Sequence, residues 1–240
     1  MKDKVLFLDF DGVMFDTLKE VYLVNRCLYR GISLFGEVDE DNYKLYSKFK
    51  YLVYNIWMFY YYNPLIFDGS ENIEKDFLNS IQNRNIEKEK EFCEEFLNIR
   101  AELVKNNYEF WKSLETPYDF FFGIKKIYEQ LQPEIVIVSK KNKASIVERF
   151  QSYGFSLSKD KIFAREILDN YPSKAEFMNE YMDKNGFGKA IFVDDNYNNL
   201  KTCDKYPNIK QILALWGNSQ PNSTGYQENE ALCEINKFFN

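Results

Sequence analysis

Val5-Leu6-Phe7-Leu8-Asp9-Phe10-Asp11-Gly12-Val13 is the stretch on which the fold turns. Its four consecutive apolar residues are too few for a helix core and are flanked by polar ones, which predicts a strand buried on both faces. That strand runs into two carboxylates one residue apart, then a glycine. An unpaired buried carboxylate is costly. Asp9 and Asp11 therefore belong at the strand's C-terminal end, where open parallel α/β sheets keep their ligand crevice. Residues two apart on an extended chain point the same way, so both acids can share one side of the strand end. Gly12 then permits a sharp turn. Asp and Gly are also common turn residues, so the rest of the chain decides what this stretch means.

Outward from Gly12 the pattern is helical for about a hundred residues. Leu18, Val21, Tyr22, Asn25, Leu28 and Tyr29 recur at helical spacing over 17–30. The run 41–63 places Tyr43, Tyr46, Lys50, Val53, Trp57 and Tyr60 three and four apart, which predicts one helix with a broad apolar face. Lys44, Lys48 and Lys50 interrupt it, and its uncharged part falls short of a membrane span of roughly 18–20 residues, so it reads as the buried core of a helical subdomain. Pro64 and Gly69 suggest a loop, and two more amphipathic helices are expected over 73–114. No strand is expected between Asp16 and Glu115.

From Thr116-Pro117 onward strands and helices alternate. Helices are expected over 123–131, 143–153, 173–184, 198–205 and 228–238, and strands over 135–138, 162–164, 190–193 and 211–215. Strands alternating with helices of about ten residues imply a doubly wound parallel sheet. The expected architecture is thus an α/β core of residues 1–15 and 116–240 with an inserted α-helical domain over 16–115.

Composition narrows the chemistry. The 240 residues carry a net charge of −6 and no block of basic residues, which argues against nucleic acid as a partner. There is no histidine. Ser-His-Asp triads, Cys-His pairs and His-ligated zinc are excluded, and acid–base work falls to carboxylates, Lys, Tyr or Cys. Cys27, Cys93, Cys203 and Cys233 form no CxxC and read as free thiols of a reducing compartment. With no membrane span, and an N-terminal apolar run too short for a leader, a cytoplasmic location is expected. The sequon Asn222-Ser223-Thr224 is discounted on the same ground.

Four sets of polar residues fall at corresponding places in the alternating pattern. Asp9 and Asp11 follow the first strand and Ser139 follows Ile135-Val136-Ile137-Val138. Lys174 begins a helix in Tyr171-Pro172-Ser173-Lys174, and Asp194 and Asp195 follow Ala190-Ile191-Phe192-Val193. Strand ends of a parallel sheet share one edge. A nucleophilic carboxylate, a hydroxyl, a cation and a second acid pair suit phosphoryl transfer with Mg²⁺, a hard ion that takes oxygen ligands.

In this order Asp9-Phe10-Asp11-Gly12-Val13, Val138-Ser139, Lys174 and Val193-Asp194-Asp195 resemble the four motifs of the haloacid-dehalogenase-like hydrolases, and the helical insertion resembles their C1-type cap. The resemblance implies Asp9 as the nucleophile that forms an aspartyl-phosphate. It implies Asp11 as the acid that protonates the leaving oxygen and then activates water. Ser139 would hold the phosphoryl group, and Lys174 would neutralise its charge and restrain Asp9. Mg²⁺ would be held by Asp9, the Asp11 carbonyl and Asp195, with Asp194 close by. The chain departs from the pattern at Lys140, where many relatives carry Asn, and at Asn199, where many carry an acid. The expected activity is Mg²⁺-dependent hydrolysis of a small phosphomonoester. A phosphomutase would use the same residues, and a catalytically silent phosphate-binding or scaffold protein is the alternative outside enzymes.

Overall fold

A computed structural model describes residues 3–240. The chain divides into two compact units, one comprising the N-terminal residues through Asp16 together with Pro117–Asn240, the other Thr17–Thr116.

The first unit is built on a parallel sheet of five strands: β1 (Lys4–Leu8), β4 (Glu134–Val138), β5 (Ile162–Phe163), β6 (Lys189–Asp194) and β7 (Ile209–Leu213). Two further strands of two residues each, β2 (Phe15–Asp16) and β3 (Thr116–Pro117), flank the inserted unit in sequence. The sheet order is β5-β4-β1-β6-β7. The chain thus builds outward from β1 on one side, then returns to build the other side. Strand order reverses between β1 and β6, the switch point at which doubly wound sheets open a crevice beyond the strands' carboxyl ends.

Burial along β1 explains why its apolar run is continuous. Leu6 and Leu8 pack with Ile135, Ile137, Ile191 and Val193 on one face, while Val5 and Phe7 pack with Val136, Val138 and Phe192 on the other. Successive side chains alternate between faces, and helices cover both, so each position must be apolar. The first face is covered by α7 (Asp119–Leu131), α8 (Lys143–Ser152) and α12 (Glu228–Phe239), the second chiefly by α10 (Lys174–Asn185) and α11 (Tyr197–Lys201). A short helix, α9 (Arg165–Leu168), follows β5.

The second unit is wholly helical: α1 (Leu18–Arg30), α2 (Glu40–Phe49), α3 (Phe59–Phe67), α4 (Ile73–Gln82), α5 (Ile86–Asn106) and α6 (Tyr108–Ser113). Tyr22, Tyr46, Tyr62, Phe77, Phe96 and Trp111 are buried in its core. Several polar groups buried in that core are paired with one another, as burial favours. Asn25 Nδ2 donates to Tyr46 Oη at 3.0 Å, Asn63 Nδ2 to Asn25 Oδ1 at 2.8 Å, and Arg100 Nε to Glu20 Oε1 at 2.7 Å. No helix among the described residues is long and apolar enough to cross a membrane. None of the four cysteines is in a disulfide.

Several element boundaries differ from those expected. The aromatic run is not one helix: after α2 come two single 3₁₀ turns, Lys50–Leu52 and Ile56–Met58, and then α3. Val53 and Asn55 are extended, and Lys50 Nζ donates to the Val53 carbonyl at 3.0 Å, giving that carbonyl a partner outside a helix. Apolar spacing continues across the break, so periodicity does not reveal it. Pro64 lies inside α3 rather than in a loop. It withholds one amide, but the Asp68 amide still reaches its carbonyl at 3.0 Å. The span 73–114 holds three helices, not two. Helix α7 begins four residues earlier than 123, because the Phe120 amide in its first turn donates to Glu228 Oε2 at 2.7 Å. That partner is far along the chain, beyond the reach of local spacing. Helix α11 ends early, at Lys201.

Candidate active site

Strand β1 ends at Leu8, and the Asp9 amide continues the ladder to the Val193 carbonyl of β6 at 3.0 Å. This register sets Asp9 beside the carboxyl end of β6, where Asp194 and Asp195 stand. Lys174, the first residue of α10, closes the group: its Nζ lies 2.8 Å from Asp9 Oδ2 and 2.8 Å from Asp194 Oδ2. Asp9, Asp194 and Asp195 each offer an oxygen within 4.8 Å of the others, and all three are buried.

Burial pushes the Asp9 carboxyl up to about 6, Lys174 opposing the rise and the Asp194 and Asp11 carboxylates adding to it. Burial raises Asp194 as well, with Lys174 again opposing and Asp195 adding to the rise. For Lys174, burial works against the charge, but Asp194 and Asp9 outweigh it and hold the ammonium above its ordinary range. Two of the three buried carboxylates thus share one ammonium, and the third, Asp195, lies beside them. Their donor set is oxygen throughout and their charge exceeds that of the lysine, which fits a hard divalent cation such as Mg²⁺.

The two acids of the β6 end are held differently. Asp194 Oδ1 accepts from the Asn196 amide at 2.8 Å, and Asn199 Nδ2 lies 3.1 Å from both Asp194 oxygens. Asp195 Oδ2 accepts from the Asn218 amide at 2.7 Å and from Asn218 Nδ2 at 3.0 Å. Asn199, noted in the sequence for what it is not, therefore orients Asp194 through its amide.

Two glycines make this packing possible. Gly12 has φ +78°, and a Cβ there would lie 1.9 Å from Asp195 Oδ2. A Cβ on Gly217 would lie 2.1 Å from the Gly12 carbonyl oxygen and 2.5 Å from Asp195 Cβ. The loop after β7 thus presses against the turn after β1. Trp216 Nε1 secures it, donating to the Val13 carbonyl at 3.0 Å.

On the other side of β1, the Ser139 amide continues the ladder from β4 to the Phe163 carbonyl at 3.1 Å. Ser139 is buried, and its Oγ accepts from the Lys141 amide at 3.3 Å. The Lys141 side chain turns inward, its Nζ 3.2 Å from Asp11 Oδ1 and 5.5 Å from the centre of the Phe10 ring. Lys140 takes the opposite course and pairs with Asp169 at 3.3 Å near the surface.

Of the six residues singled out in the sequence, Asp9 and Asp11 lie just past β1, Ser139 just past β4, Asp194 ends β6 with Asp195 next to it, and Lys174 is the first residue of α10. Sequence reading passed over Lys141 and Asn218. Asn218 obeys the same rule as the others, being a polar residue beyond a strand's carboxyl end, and could have been found by it. Lys141 carries no such signal, since nothing local distinguishes it from Lys140.

No family model matches the sequence, and no curated protein matches it. Solved structures do match it along nearly their whole length. A haloacid dehalogenase-like family hydrolase from Streptococcus pneumoniae is 13% identical with a TM-score of 0.58, over 96% of this chain and 97% of that one. A "predicted phosphatase" from Clostridium acetobutylicum is 14% identical with a TM-score of 0.64, over 99% of each chain. A "predicted phosphoglycolate phosphatase" from Haemophilus somnus is 13% identical with a TM-score of 0.64, over 100% of this chain and 99% of that one. The likeness is one of fold: this chain has the haloacid-dehalogenase-like fold, a five-stranded parallel sheet flanked by helices.

Proposed function

We propose that the protein is a Mg²⁺-dependent phosphatase that hydrolyses a small phosphomonoester through an aspartyl-phosphate on Asp9, with the helical unit Thr17–Thr116 serving as its cap. The observation that carries this reading is the buried contact of Asp9 with Lys174, in a cluster with Asp194 and Asp195. An oxygen nucleophile, a fixed cation and a divalent-ion donor set are what phosphoryl transfer requires.

In this reading an Asp9 oxygen attacks phosphorus and the bond to the leaving oxygen breaks, that oxygen taking a proton from the Asp11 carboxyl. Water then attacks the phosphorus of the aspartyl-phosphate, Asp11 accepts the water's proton, and phosphate departs with Asp9 restored. Covalent catalysis divides one difficult displacement into two easier ones. Lys174 offsets charge on the phosphoryl oxygens and holds Asp9 in line, and the Ser139 hydroxyl donates to one of those oxygens. Asp9, the Asp11 carbonyl and Asp195 would hold Mg²⁺, with Asp194 tied to Lys174 beside them. When bound, the ion supplies positive charge against the oxygens of the transferring group.

The test is Mg²⁺-dependent release of phosphate from a panel of 2-phosphoglycolate, glycerol phosphates, sugar phosphates, nucleotides and 4-nitrophenyl phosphate, with Asp9→Asn as control. Release that needs both Mg²⁺ and Asp9 is expected. Equal release by the Asp9→Asn variant would remove the nucleophile assignment, and no release from any substrate would remove the phosphatase reading.

A further inference from the structure

We propose that Lys141 is a positioning residue that holds the Asp11 carboxyl where it can exchange a proton with the leaving group. The inference rests on the phosphatase reading above and adds to it a residue that the sequence did not single out.

Lys141 is 1% exposed, an unusual state for a lysine, which ordinarily keeps its ammonium in water. Burying that charge is unfavourable unless an anion and hydrogen-bond acceptors meet it. The Asp11 carboxylate does so at 3.2 Å, and the face of Phe10 lies 5.5 Å from the same nitrogen. The backbone of Lys141 is anchored at both of its polar groups. Its amide donates to Ser139 Oγ at 3.3 Å, and its carbonyl accepts from the Arg165 amide at 3.1 Å. The residue thus links the hydroxyl after β4 to the second carboxylate after β1.

That link bears on the position of Asp11. Its side chain is 34% exposed and lies beyond the end of β1, next to Gly12. An aspartate side chain has several staggered positions in general, and the ion pair with Lys141 favours one of them. A general acid acts only within hydrogen-bond reach of the atom it protonates, and a displacement of about 1 Å can cost on the order of 10²-fold. Lys141 selects one position, and does so from a buried, doubly anchored backbone. It acts on the reaction through Asp11.

The experiment compares kcat/KM on two kinds of substrate with the full chain and Mg²⁺. One is the alkyl phosphate hydrolysed best in the panel, whose leaving oxygen needs a proton. The other is 4-nitrophenyl phosphate, whose leaving group departs without one. Lys141→Met, similar in shape but uncharged, is expected to lower kcat/KM on the alkyl phosphate by about 10²-fold and on 4-nitrophenyl phosphate by less than about tenfold. Lys141→Arg should recover much of the loss. In an Asp11→Asn background, adding Lys141→Met should cost little more on 4-nitrophenyl phosphate, because the residue it acts through is already gone.

Equal losses on the two substrates, or a full additional loss in the Asp11→Asn background, would overturn the proposal and make Lys141 structural or a phosphate ligand. If Lys141→Met unfolds the chain, Lys141→Gln is judged by the same comparison. Failure of the wild-type chain to hydrolyse either substrate would instead strike the phosphatase reading, and this inference with it.

Discussion

Asp9 and Lys174 meet at 2.8 Å in a place where both side chains are almost entirely out of water. One comes from the end of the central strand and the other from the first turn of a helix 165 residues further along the chain. Removing one partner of a buried ion pair leaves the other uncompensated, at about 3–5 kcal/mol. Lys174→Met should therefore lower the melting temperature clearly and reduce kcat by on the order of 10²-fold or more. Thermal unfolding and steady-state kinetics on the same sample check both. A variant with full activity would show that Lys174 has only a structural role.

The pH dependence of stability follows from Asp9. Its carboxyl is raised from an ordinary 3.8 to about 6 by burial. Between those two values the folded metal-free chain binds a proton that the unfolded chain does not. This contribution to stability is complete below about pH 4 and is lost as pH rises through about 6. Metal-free Asp9→Asn should lack that part of the pH dependence. Melting curves of both chains across pH 4–8, taken in chelator, test this; parallel profiles would refute it.

Mg²⁺ should reverse the trend, because it requires the carboxylate form. At millimolar Mg²⁺ and pH 7.5, a rise in melting temperature on the order of 5 °C is expected, shrinking below about pH 6. The comparison is Mg²⁺ against chelator, and equal melting temperatures in the two would refute the metal site.

Asn218 donates to Asp195 through both its backbone and its side chain. Residues that orient a metal ligand from behind typically change affinity by about 10–100-fold when removed. Asn218→Ala removes one of the two bonds, so Mg²⁺ affinity by calorimetry should fall about tenfold while the fold is kept. An unchanged affinity would mean that the backbone bond suffices.

Gly12→Ala tests the close approach to Asp195. A methyl at a φ of +78° is strained, and here it would also lie 1.9 Å from Asp195 Oδ2. The variant should lose about 1–2 kcal/mol from the backbone conformation alone, and Mg²⁺ affinity as Asp195 is displaced. Retained affinity would show that Asp195 is not a ligand of the ion.

The sequence by itself determined the central strand, the alternation after Thr116 and the strand-end acids. Each of these is a local consequence of burial. A strand covered on both faces is apolar along its length, and carboxylates appear at its end, where a partner such as Lys174 can meet them. Leu6 and Leu8 on one face and Val5 and Phe7 on the other express that rule directly. Helix ends and the break before α3 were less legible, because their partners lie elsewhere: Glu228 for the start of α7, and the Lys50 ammonium for the Val53 carbonyl. Only the tertiary structure decided that Lys141 rather than Lys140 turns inward, that Asn218 holds Asp195, and that Lys174 reaches Asp194 as well as Asp9. Side-chain pairing across strand ends depends on register and sheet order, and long-range geometry of that kind leaves no periodic trace in the chain.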